Sequence, residues 1–319
     1  MDVFHSFEEV QHYPQTVVAL GTFDGVHLGH QKVMHEALKQ ATELQAKAVV
    51  VTFAAHPLSV LRPEKEPARL ATVEQKTRYI EEQGMDGLVL LPMNRHLIDE
   101  SPEEFCRQLL QYMKPKAIVV GSNFTYGAKA AGNTDTLREF MQAYDVPVCV
   151  LTLLGSPGHP TPISSTVIRK LVAQGHMETA ELLLGRPFEL EGSVMPGDHR
   201  GTTIGFPTAN MHIPEHMAMP PDGVYATGVW LNGKIWPSMT NIGNNPTFAN
   251  QYRRIETNIL DWHGDLYGQQ LRLFFYKRLR HEITFVETEL LIRQMEQDRE
   301  HARTYFAQRE SKLKTNSND

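Results

Sequence analysis

Cysteine is scarce in this sequence, with only Cys106 and Cys149 among 319 residues. Two isolated cysteines form neither a disulfide framework nor a cysteine-rich metal site, which is typical of a protein in a reducing compartment. Long apolar runs are also missing: residues 48–51 and 88–91 are far shorter than the roughly 20 residues of a membrane-spanning helix. The amino terminus lacks the basic start and apolar core of a signal peptide. We therefore expect a cytoplasmic protein with no membrane partner.

An excess of positive charge is absent as well. Lysine and arginine total 31 against 37 aspartates and glutamates, which gives a net charge of −6. Such a balance does not attract a nucleic acid, so we expect no nucleic-acid partner. An anionic small substrate would instead need a local site of backbone N–H groups or a few basic side chains. The 15 histidines include no H-E-x-x-H pattern, so a structural zinc site is not expected.

The first half of the chain alternates short apolar runs with longer helical patterns. Near-continuous Val, Ile and Leu in the short runs indicates strands buried on both faces, and the alternation predicts a parallel, doubly wound α/β sheet. Predicted strands span residues 17–23, 48–53, 87–91, 117–120 and 146–151. Predicted helices span residues 31–45, 72–83, 102–112 and 134–143, followed by two that begin at Ser164 and Met177. A Gly-Arg-Pro stop at residues 185–187 predicts a domain boundary there, with domains of residues 1–183 and 184–319.

The second half has a different rhythm, with short strands separated by Gly- and Pro-rich turns. Predicted strands span residues 188–194, 223–230, 234–242, 253–260 and 270–276. Asn232 and Gly233 give the hairpin signal between two of them. Several short strands with frequent turns favour a small antiparallel β-barrel, and a final amphipathic helix over residues 286–308 would cover it.

The most informative segment is residues 21–30, which read GTFDGVHLGH. The segment places His27 and His30 where a predicted strand passes into a helix, and ligands of an open α/β sheet bind at that edge. Gly21 and Gly25 let the backbone turn tightly. The helix N-terminus offers unpaired N–H groups to a phosphate, and imidazoles beside it suit phosphoryl or nucleotidyl transfer. The alternative is a surface turn with two incidental histidines.

A second helix start, at residues 163–169, also suits phosphate. Ser164, Ser165 and Thr166 present hydroxyl and amide groups there, and Arg169 follows one turn later on the same face. The alternative is an ordinary N-cap with a solvated arginine. Neither of the common nucleotide fingerprints, G-x-x-x-x-G-K-[ST] or G-x-G-x-x-G, occurs in this half.

A glycine-spaced loop in the second half can fold over phosphates with its amides inward. Its glycines are Gly197, Gly201 and Gly205. Thr208 and Asn210, which follow directly, offer the oxygen ligands that suit Mg²⁺.

A carboxylate on a predicted strand is the remaining candidate group. Glu256 lies on the face opposite Ile255 and Thr257, where it could take the proton from an attacking hydroxyl. The alternative is a solvated strand residue.

Segments of both halves resemble one known family. Residues 21–30, 52–57, 119–124 and 163–169 look like motifs of the adenylyltransferase module of bacterial bifunctional riboflavin kinase/FAD synthetases, which are HxGH nucleotidyltransferases. Residues 205–210, 241–248, 256–262 and 265–268 resemble the riboflavin kinase domain of the same family. The resemblance covers residues 14–308 and implies a Rossmann-like adenylyltransferase domain followed by a kinase barrel.

The resemblance implies roles for residues of the first half. His27 and His30 would hold the phosphates of ATP, Ser165, Thr166 and Arg169 would steady the triphosphate, and Asn123 would contact the nucleotide. The expected nucleotide-binding residues here are Gly21, Phe23, Asp24, Gly25, Asn123, Ser164, Ser165 and Thr166. The FMN phosphate would attack the α-phosphorus of ATP and release pyrophosphate, which needs positioning more than a base because the attacking group is already ionised.

In the second half the resemblance implies that Thr208 and Asn210 bind Mg²⁺ and ATP phosphate. Glu256 would be the general base for the 5′-hydroxyl of riboflavin. Gly197, Gly201 and Gly205 join Asn210 as expected nucleotide-binding residues. The predicted catalytic residues of the chain are His27, His30, Arg169 and Glu256. The expected partners are riboflavin, FMN and ATP, and the chain is expected to be a monomer or a homo-oligomer.

Two alternatives compete with a two-activity enzyme. One keeps a single activity and makes the other half a flavin-sensing or partner-binding module, against which the candidate residues of both halves argue. The other is a different HxGH nucleotidyltransferase, such as a cytidylyltransferase, fused to an unrelated β-domain. The G-F-P-T-A-N segment and the strand of Glu256 argue against it.

Overall fold

A computed structural model describes residues 1–156, 159–196, 205–244 and 253–316. The chain divides into two compact units, Met1–Val167 and Ile168–Asp319. The functional domain ranges 1–183 and 184–319 stay a prediction. Within the described part of the chain, no helix combines the length and apolar character needed to cross a bilayer.

The first unit is built on a six-stranded parallel sheet with the strand order β1-β4-β3-β2-β5-β8. Strands β6 and β7, and likewise β9 and β10, form two small antiparallel pairs. The strands are β1 Asp2–Phe4, β2 Thr16–Leu20, β3 Lys47–Phe53, β4 Gly87–Leu91, β5 Pro115–Gly121, β6 Thr125–Tyr126, β7 Gly132–Asn133, β8 Val148–Leu151, β9 Gly155–Ser156 and β10 His159–Pro162.

Helices cover both faces of this sheet. They are α1 Leu28–Glu43, α2 Leu58–Leu61, α3 Val73–Glu81, α4 Arg95–Asp99, α5 Pro102–Gln108 and α6 Thr134–Gln142, and α7 Ser165–Gln174 contains the division between the units. Side chains of β2 alternate between two cores: Val18 and Leu20 pack with α5 and α6, while Val17 and Ala19 pack with α1 and α3. This alternation explains the unbroken apolar strands and confirms the predicted doubly wound sheet.

The strand order also locates a crevice for ligands. The chain steps from β2 to β3 and β4 in one direction, and then to β5 and β8 in the other. The connections that leave the carboxyl ends of β2 and β5 therefore diverge, and ligands of open α/β sheets bind at such a switch point. The GTFDGVHLGH segment follows β2 and Asn123 follows β5, so two segments far apart in sequence reach one crevice.

The second unit contains a closed antiparallel barrel with the strand order β11-β12-β15-β14-β13-β16, which confirms the predicted barrel. Its elements are α8 Met177–Leu184, β11 Phe188–Met195, β12 Ala209–His212, β13 Gly223–Leu231, β14 Lys234–Asn244, β15 Arg253–Ile259, β16 Gln270–His281 and α9 Thr288–Asn316. Phe188, Tyr225 and Phe275 fill the barrel core. Helix α9 covers the barrel as expected, with Ala302 buried against Phe206.

A chain of buried hydroxyl groups crosses the barrel interior. Thr227 Oγ1 lies 2.9 Å from Ser238 Oγ and 2.7 Å from Thr240 Oγ1, which lies 2.9 Å from Thr257 Oγ1. All four residues are at most 1% exposed. Buried hydroxyls are costly unless they are hydrogen-bonded, so each member of this chain depends on its neighbours.

Several observed elements differ from the predicted ones. Strand β2 ends at Leu20 because Phe23 has a φ of 48°, which no strand residue can adopt. Strands β1 and β12 were not predicted, since three or four residues carry too little periodicity. Helix α9 runs to Asn316, beyond the predicted end at residue 308.

Thr240→Val should destabilise the barrel by about 1–3 kcal/mol, because an isosteric methyl removes the hydroxyl that joins Thr227 to Thr257. Urea unfolding followed by tryptophan fluorescence measures this, since all three tryptophans lie in the second unit at positions 230, 236 and 262. Thr240→Ser keeps the hydroxyl and is the control. Equal stability of the valine and serine variants would contradict the hydroxyl chain.

Candidate active sites

The connection between β2 and α1 has an unusual backbone. Phe23, Gly25 and Val26 have φ angles of 48°, 76° and 39°, so all three lie in the left-handed region. That conformation suits glycine, whereas a β-branched residue such as Val26 adopts it only under strain. A Cβ atom on Gly25 would also lie 2.9 Å from Leu70 Cβ. Gly25 is therefore required here by both its φ angle and its surroundings.

Hydrogen bonds to its carbonyl groups hold this connection, which we call the histidine turn (residues 21–30). The Thr52 hydroxyl donates to the Thr22 carbonyl at 2.9 Å. The Ser165 hydroxyl, at the start of α7, donates to the Asp24 carbonyl at 3.0 Å. These hydrogen bonds to its carbonyls restrain the turn in its strained conformation.

Lys76 also donates hydrogen bonds to backbone carbonyls here. Its ammonium donates to the Thr22 carbonyl at 3.2 Å and to the Phe53 carbonyl at 2.9 Å, so it joins the histidine turn to the end of β3. The residue is 7% exposed. Burial lowers the pKa of Lys76 to about 8, with a further lowering from Arg69 and an opposing effect of Asp24.

The two histidines meet at the N-terminus of α1. His27 is the N-cap residue and is buried, and its Nδ1 accepts a hydrogen bond from the His30 backbone N–H at 3.3 Å. The imidazole rings stack with their centroids 3.6 Å apart and an interplanar angle of 17°. A Cβ atom on Gly29 would lie 3.1 Å from the His27 ring, so glycine leaves room for this stack. The two imidazole rings therefore lie side by side at the first turn of α1.

Three predicted nucleotide-binding residues of the turn have internal contacts. Phe23 is 1% exposed, and its ring meets that of His30 edge-on at 5.2 Å. The Asp24 carboxylate accepts the Leu70 backbone N–H at 3.1 and 3.3 Å. Gly21 lies against the Phe23 ring, because a Cβ atom added to Gly21 would be 3.0 Å from that ring. These three residues shape the turn, and direct contact between their side chains and a nucleotide stays a prediction.

The other predicted residues of this site surround the crevice or lie on α7. Asn123 follows β5 and is exposed, and its side chain folds back towards Gly121. The Ser164 hydroxyl caps α7 by accepting the Val167 N–H at 3.3 Å. Thr166 is exposed and Arg169, one turn later, is half-buried. The ordinary N-cap role of Ser164 is thus present, and phosphate binding by this segment stays a prediction.

In the barrel, strand pairing brings three polar side chains into one row. Asn210 on β12 lies opposite Glu256 on β15, which lies opposite Asn241 on β14. Paired residues on neighbouring strands share a face. Their sequence neighbours Ala209 and Thr257 are buried towards the barrel interior, so the row lies on the outer face, where all three of its members are half-buried. The predicted metal ligand and the predicted base are therefore direct neighbours.

The surroundings of Glu256 and Thr208 complete this second site. Glu256 lies 3.7 Å from the Arg254 guanidinium. Thr208, two residues before Asn210, lines a cavity of about 300 Å³. The Asn258 side chain donates to the Pro207 carbonyl at 2.7 Å and holds this segment in place. The cavity is also lined by Thr257, Trp262, Asp265 and Tyr267.

Glycine again serves a backbone need at the start of β12. Gly205 has a φ of 83°, which favours glycine. Gly197 and Gly201 lie outside the described residues. Within the described segments, no group of three or more His, Cys, Asp or Glu is arranged to hold a metal ion.

Sequence reasoning missed Lys76, and it assigned no individual role to Thr52 or Asn241, which begin two of the segments that resemble the family. Lys76 had a detectable signal, because it shares the buried face of α3 with Tyr79 and Ile80 at spacings of three and four residues. A lysine at such a position is rarely buried without a partner. Asn241 begins a segment that resembles the riboflavin kinase domain, but only the register between β14 and β15 places it beside Glu256.

Comparison with known proteins covers both units. A family model for FAD synthetase matches residues 9–167, and one for riboflavin kinase matches residues 184–306. A Bacillus subtilis protein described as "Bifunctional riboflavin kinase/FMN adenylyltransferase" is 37% identical over 307 residues, covering 95% of this chain and 96% of the relative. An Escherichia coli protein of the same description is 32% identical over 310 residues, covering 96% and 98%.

A solved structure is similar over almost the whole chain. It is described as the macrolide-efflux protein from Streptococcus pneumoniae, with a TM-score of 0.85 and 29% identity. The match covers 95% of this chain and 99% of that one.

The buried lysine predicts a pH dependence of stability. Between pH 8 and 10.5 the unfolded chain holds the Lys76 proton while the folded chain has lost it, so folding stability rises with pH in this window. Relative to Lys76→Met, the wild type should gain at most about 1.4 kcal/mol per pH unit. Urea unfolding followed by circular dichroism at pH 7.5, 8.5 and 9.5 measures this. A wild-type-minus-variant difference that is constant across these pH values would contradict it.

Proposed function

The chain belongs to the family of bifunctional riboflavin kinase/FMN adenylyltransferases, and we propose that its histidine turn serves adenylyl transfer while its barrel serves riboflavin phosphorylation. The enzyme converts riboflavin and ATP to FMN, and then FMN and ATP to FAD. The observation that carries the division is that each unit contains its own polar site. We assign residues 1–183 to the adenylyltransferase, so that α7 belongs to it, and residues 184–319 to the kinase.

In the adenylyltransferase, His27 and His30 would hold the ATP phosphates at the N-terminus of α1. Their stacked rings lie beside the first turn of α1, and the positive end of a helix dipole favours anionic oxygens. We propose that Ser165, Thr166 and Arg169 on α7 steady the triphosphate and that Asn123 contacts the nucleotide across the crevice.

The reaction at this site is an in-line displacement. An oxygen of the FMN phosphate forms a bond to the α-phosphorus while the bond from that phosphorus to the bridging oxygen breaks, and pyrophosphate leaves. Because the attacking phosphate is already ionised, the site needs no general base and acts by position and charge stabilisation.

In the kinase, Glu256 would take the proton of the riboflavin 5′-hydroxyl as that oxygen attacks the γ-phosphorus of ATP. Its place in a row with Asn210 supports this role, because the carboxylate shares a face with the proposed phosphate-binding residues. The cavity at Thr208 is of the size that small ligands occupy, and its aromatic lining suits a planar ring.

A magnesium ion fits the donor set of the kinase site. Thr208 and Asn210 provide neutral oxygen donors on alternate positions of one segment, and Mg²⁺ takes few protein ligands alongside waters and phosphate oxygens. When bound there, the ion would neutralise phosphate charge during transfer.

We propose a cytoplasmic enzyme whose partners are its small substrates. The net charge of −6 and the two unpaired cysteines support this, as does the lack of any basic character that would favour a nucleic acid. The similar structure described as an efflux protein does not change the assignment, because two family models and curated relatives over most of the chain all name flavin enzymes.

Two substitutions should separate the activities, each serving as the control for the other. Glu256→Gln removes the base, so FMN formation should fall at least about 10²-fold while supplied FMN is still converted to FAD. His30→Ala should leave FMN formation intact and block its conversion to FAD. Chromatography of the flavins over time, with riboflavin, Mg²⁺ and ATP, measures both steps. Loss of both activities in either folded variant would overturn the division of the sites.

A further inference from the structure

We propose that Lys76 is a positioning residue for adenylyl transfer: its buried ammonium binds the carbonyls of Thr22 and Phe53 and so holds the histidine turn in its reactive conformation. The proposal rests on the function proposed above for His27 and His30. Lys76 does not touch the phosphates in this scheme, and it acts through the backbone that carries the histidines.

The first argument is the strain of the turn. Phe23 and Val26 hold left-handed backbone angles of 48° and 39°, which cost free energy and persist only where surrounding contacts impose them. Thr22 immediately precedes this stretch. The Thr22 carbonyl accepts two hydrogen bonds, one from the Thr52 hydroxyl at 2.9 Å and one from the Lys76 ammonium at 3.2 Å. The contact with Lys76 therefore acts at the entrance to the strained stretch.

The second argument is the choice of side chain. An ammonium at a site that is 7% exposed costs much more to bury than a neutral group, unless it is paired or hydrogen-bonded. The Lys76 ammonium contacts the Phe53 carbonyl at the carboxyl end of β3 and the Thr22 carbonyl, two residues beyond the end of β2. A charged donor forms stronger hydrogen bonds with carbonyls than a neutral one does. These hydrogen bonds thus offset the cost of burying the ammonium, and they also fix the backbone where the turn starts.

Lys47 provides a matched control on the same sheet. It lies at the amino end of β3, where its ammonium pairs with Asp86 at 2.7 Å, and it is half exposed. Lys76 acts at the carboxyl end of the same strand. The change Lys→Met at either position removes one ammonium and retains an unbranched apolar side chain, yet only position 76 contacts the turn.

The experiment measures both activities of purified full-length Lys76→Met, Lys47→Met and wild type. For Lys76→Met we expect kcat of FMN adenylylation to fall by about 10²-fold, the loss typical of misplaced reacting groups, with the KM for FMN within about twofold. Riboflavin phosphorylation by the same samples should be unchanged. Lys47→Met should keep both activities. Lys76→Arg, which keeps a charged donor, should recover part of the lost kcat.

A second variant covers the case in which Lys76→Met fails to fold. Thr52→Val removes the other donor to the Thr22 carbonyl without changing side-chain volume, and it should lower adenylylation kcat by several-fold. Circular dichroism, together with exchange protection of the β2 amides, reports whether the first unit is folded. If folded Lys76→Met keeps wild-type kcat, the proposal is overturned. If Lys76→Met does not fold, an unchanged kcat in Thr52→Val overturns it.

The pH profile separates positioning from a purely structural role. The charged groups that act on Lys76 are Asp24 in the turn and Arg69, which is itself paired with Glu66. As pH rises through about 8, the ammonium becomes a weaker neutral donor, so adenylylation kcat should decline while the folding stability of the wild type rises. Lys76→Met should lack this decline. Activity that follows stability upward in the wild type would contradict the positioning role.

The failure of this proposal is distinguishable from failure of the proposed function. If His30→Ala abolishes FAD formation but folded Lys76→Met does not reduce it, the histidine site stands and the role of Lys76 falls. If His30→Ala leaves FAD formation unchanged, the function proposed for the turn itself is wrong.

Discussion

The contact between the buried ammonium of Lys76 and two backbone carbonyls links the sheet of the first unit to the histidine turn. Lys76 lies on the covering helix α3, and the carbonyls belong to Thr22 in the histidine turn and to Phe53, the last residue of β3. Its charge would be unfavourable there without these acceptors, and the histidine turn would have fewer restraints without the charge. The N-terminus of α1, the stacked imidazoles and the left-handed residues all depend on where this turn leaves the sheet.

In the barrel, strand register positions the polar groups, whereas in the first unit a buried charge restrains them. Buried hydroxyls of Thr227, Thr240 and Thr257 pair with one another inside, while Asn210 and Glu256 face outward. A one-residue slip of β15 would exchange Thr257 and Glu256 between the inner and outer faces, because side chains alternate between the faces of a strand. The same hydrogen-bond ladder therefore keeps the hydroxyls satisfied and sets the carboxylate beside the amide.

Much of this architecture could be predicted because local sequence patterns indicate it. The apolar strands of the first unit are buried on both faces, and their composition showed it. The barrel strands were recognised from their turns, including the Asn232-Gly233 hairpin. The short strands β1 and β12 were not predicted, since they contain too few residues to show a hydrophobic periodicity. The end of β2 was predicted too late because an aromatic residue at position 23 favours a strand, whereas tertiary contacts impose a left-handed φ.

Periodicity and motifs a few residues long are enough to specify the two fold classes, the family and the candidate histidines, hydroxyls and carboxylate. Tertiary structure alone decided which distant residues meet. Lys76 reaches the histidine turn only through the packing of α3, and Asn241 reaches Glu256 only through the register of β14 with β15. Such contacts join residues that no local pattern connects, since strand order and helix packing are set by the burial of the whole core.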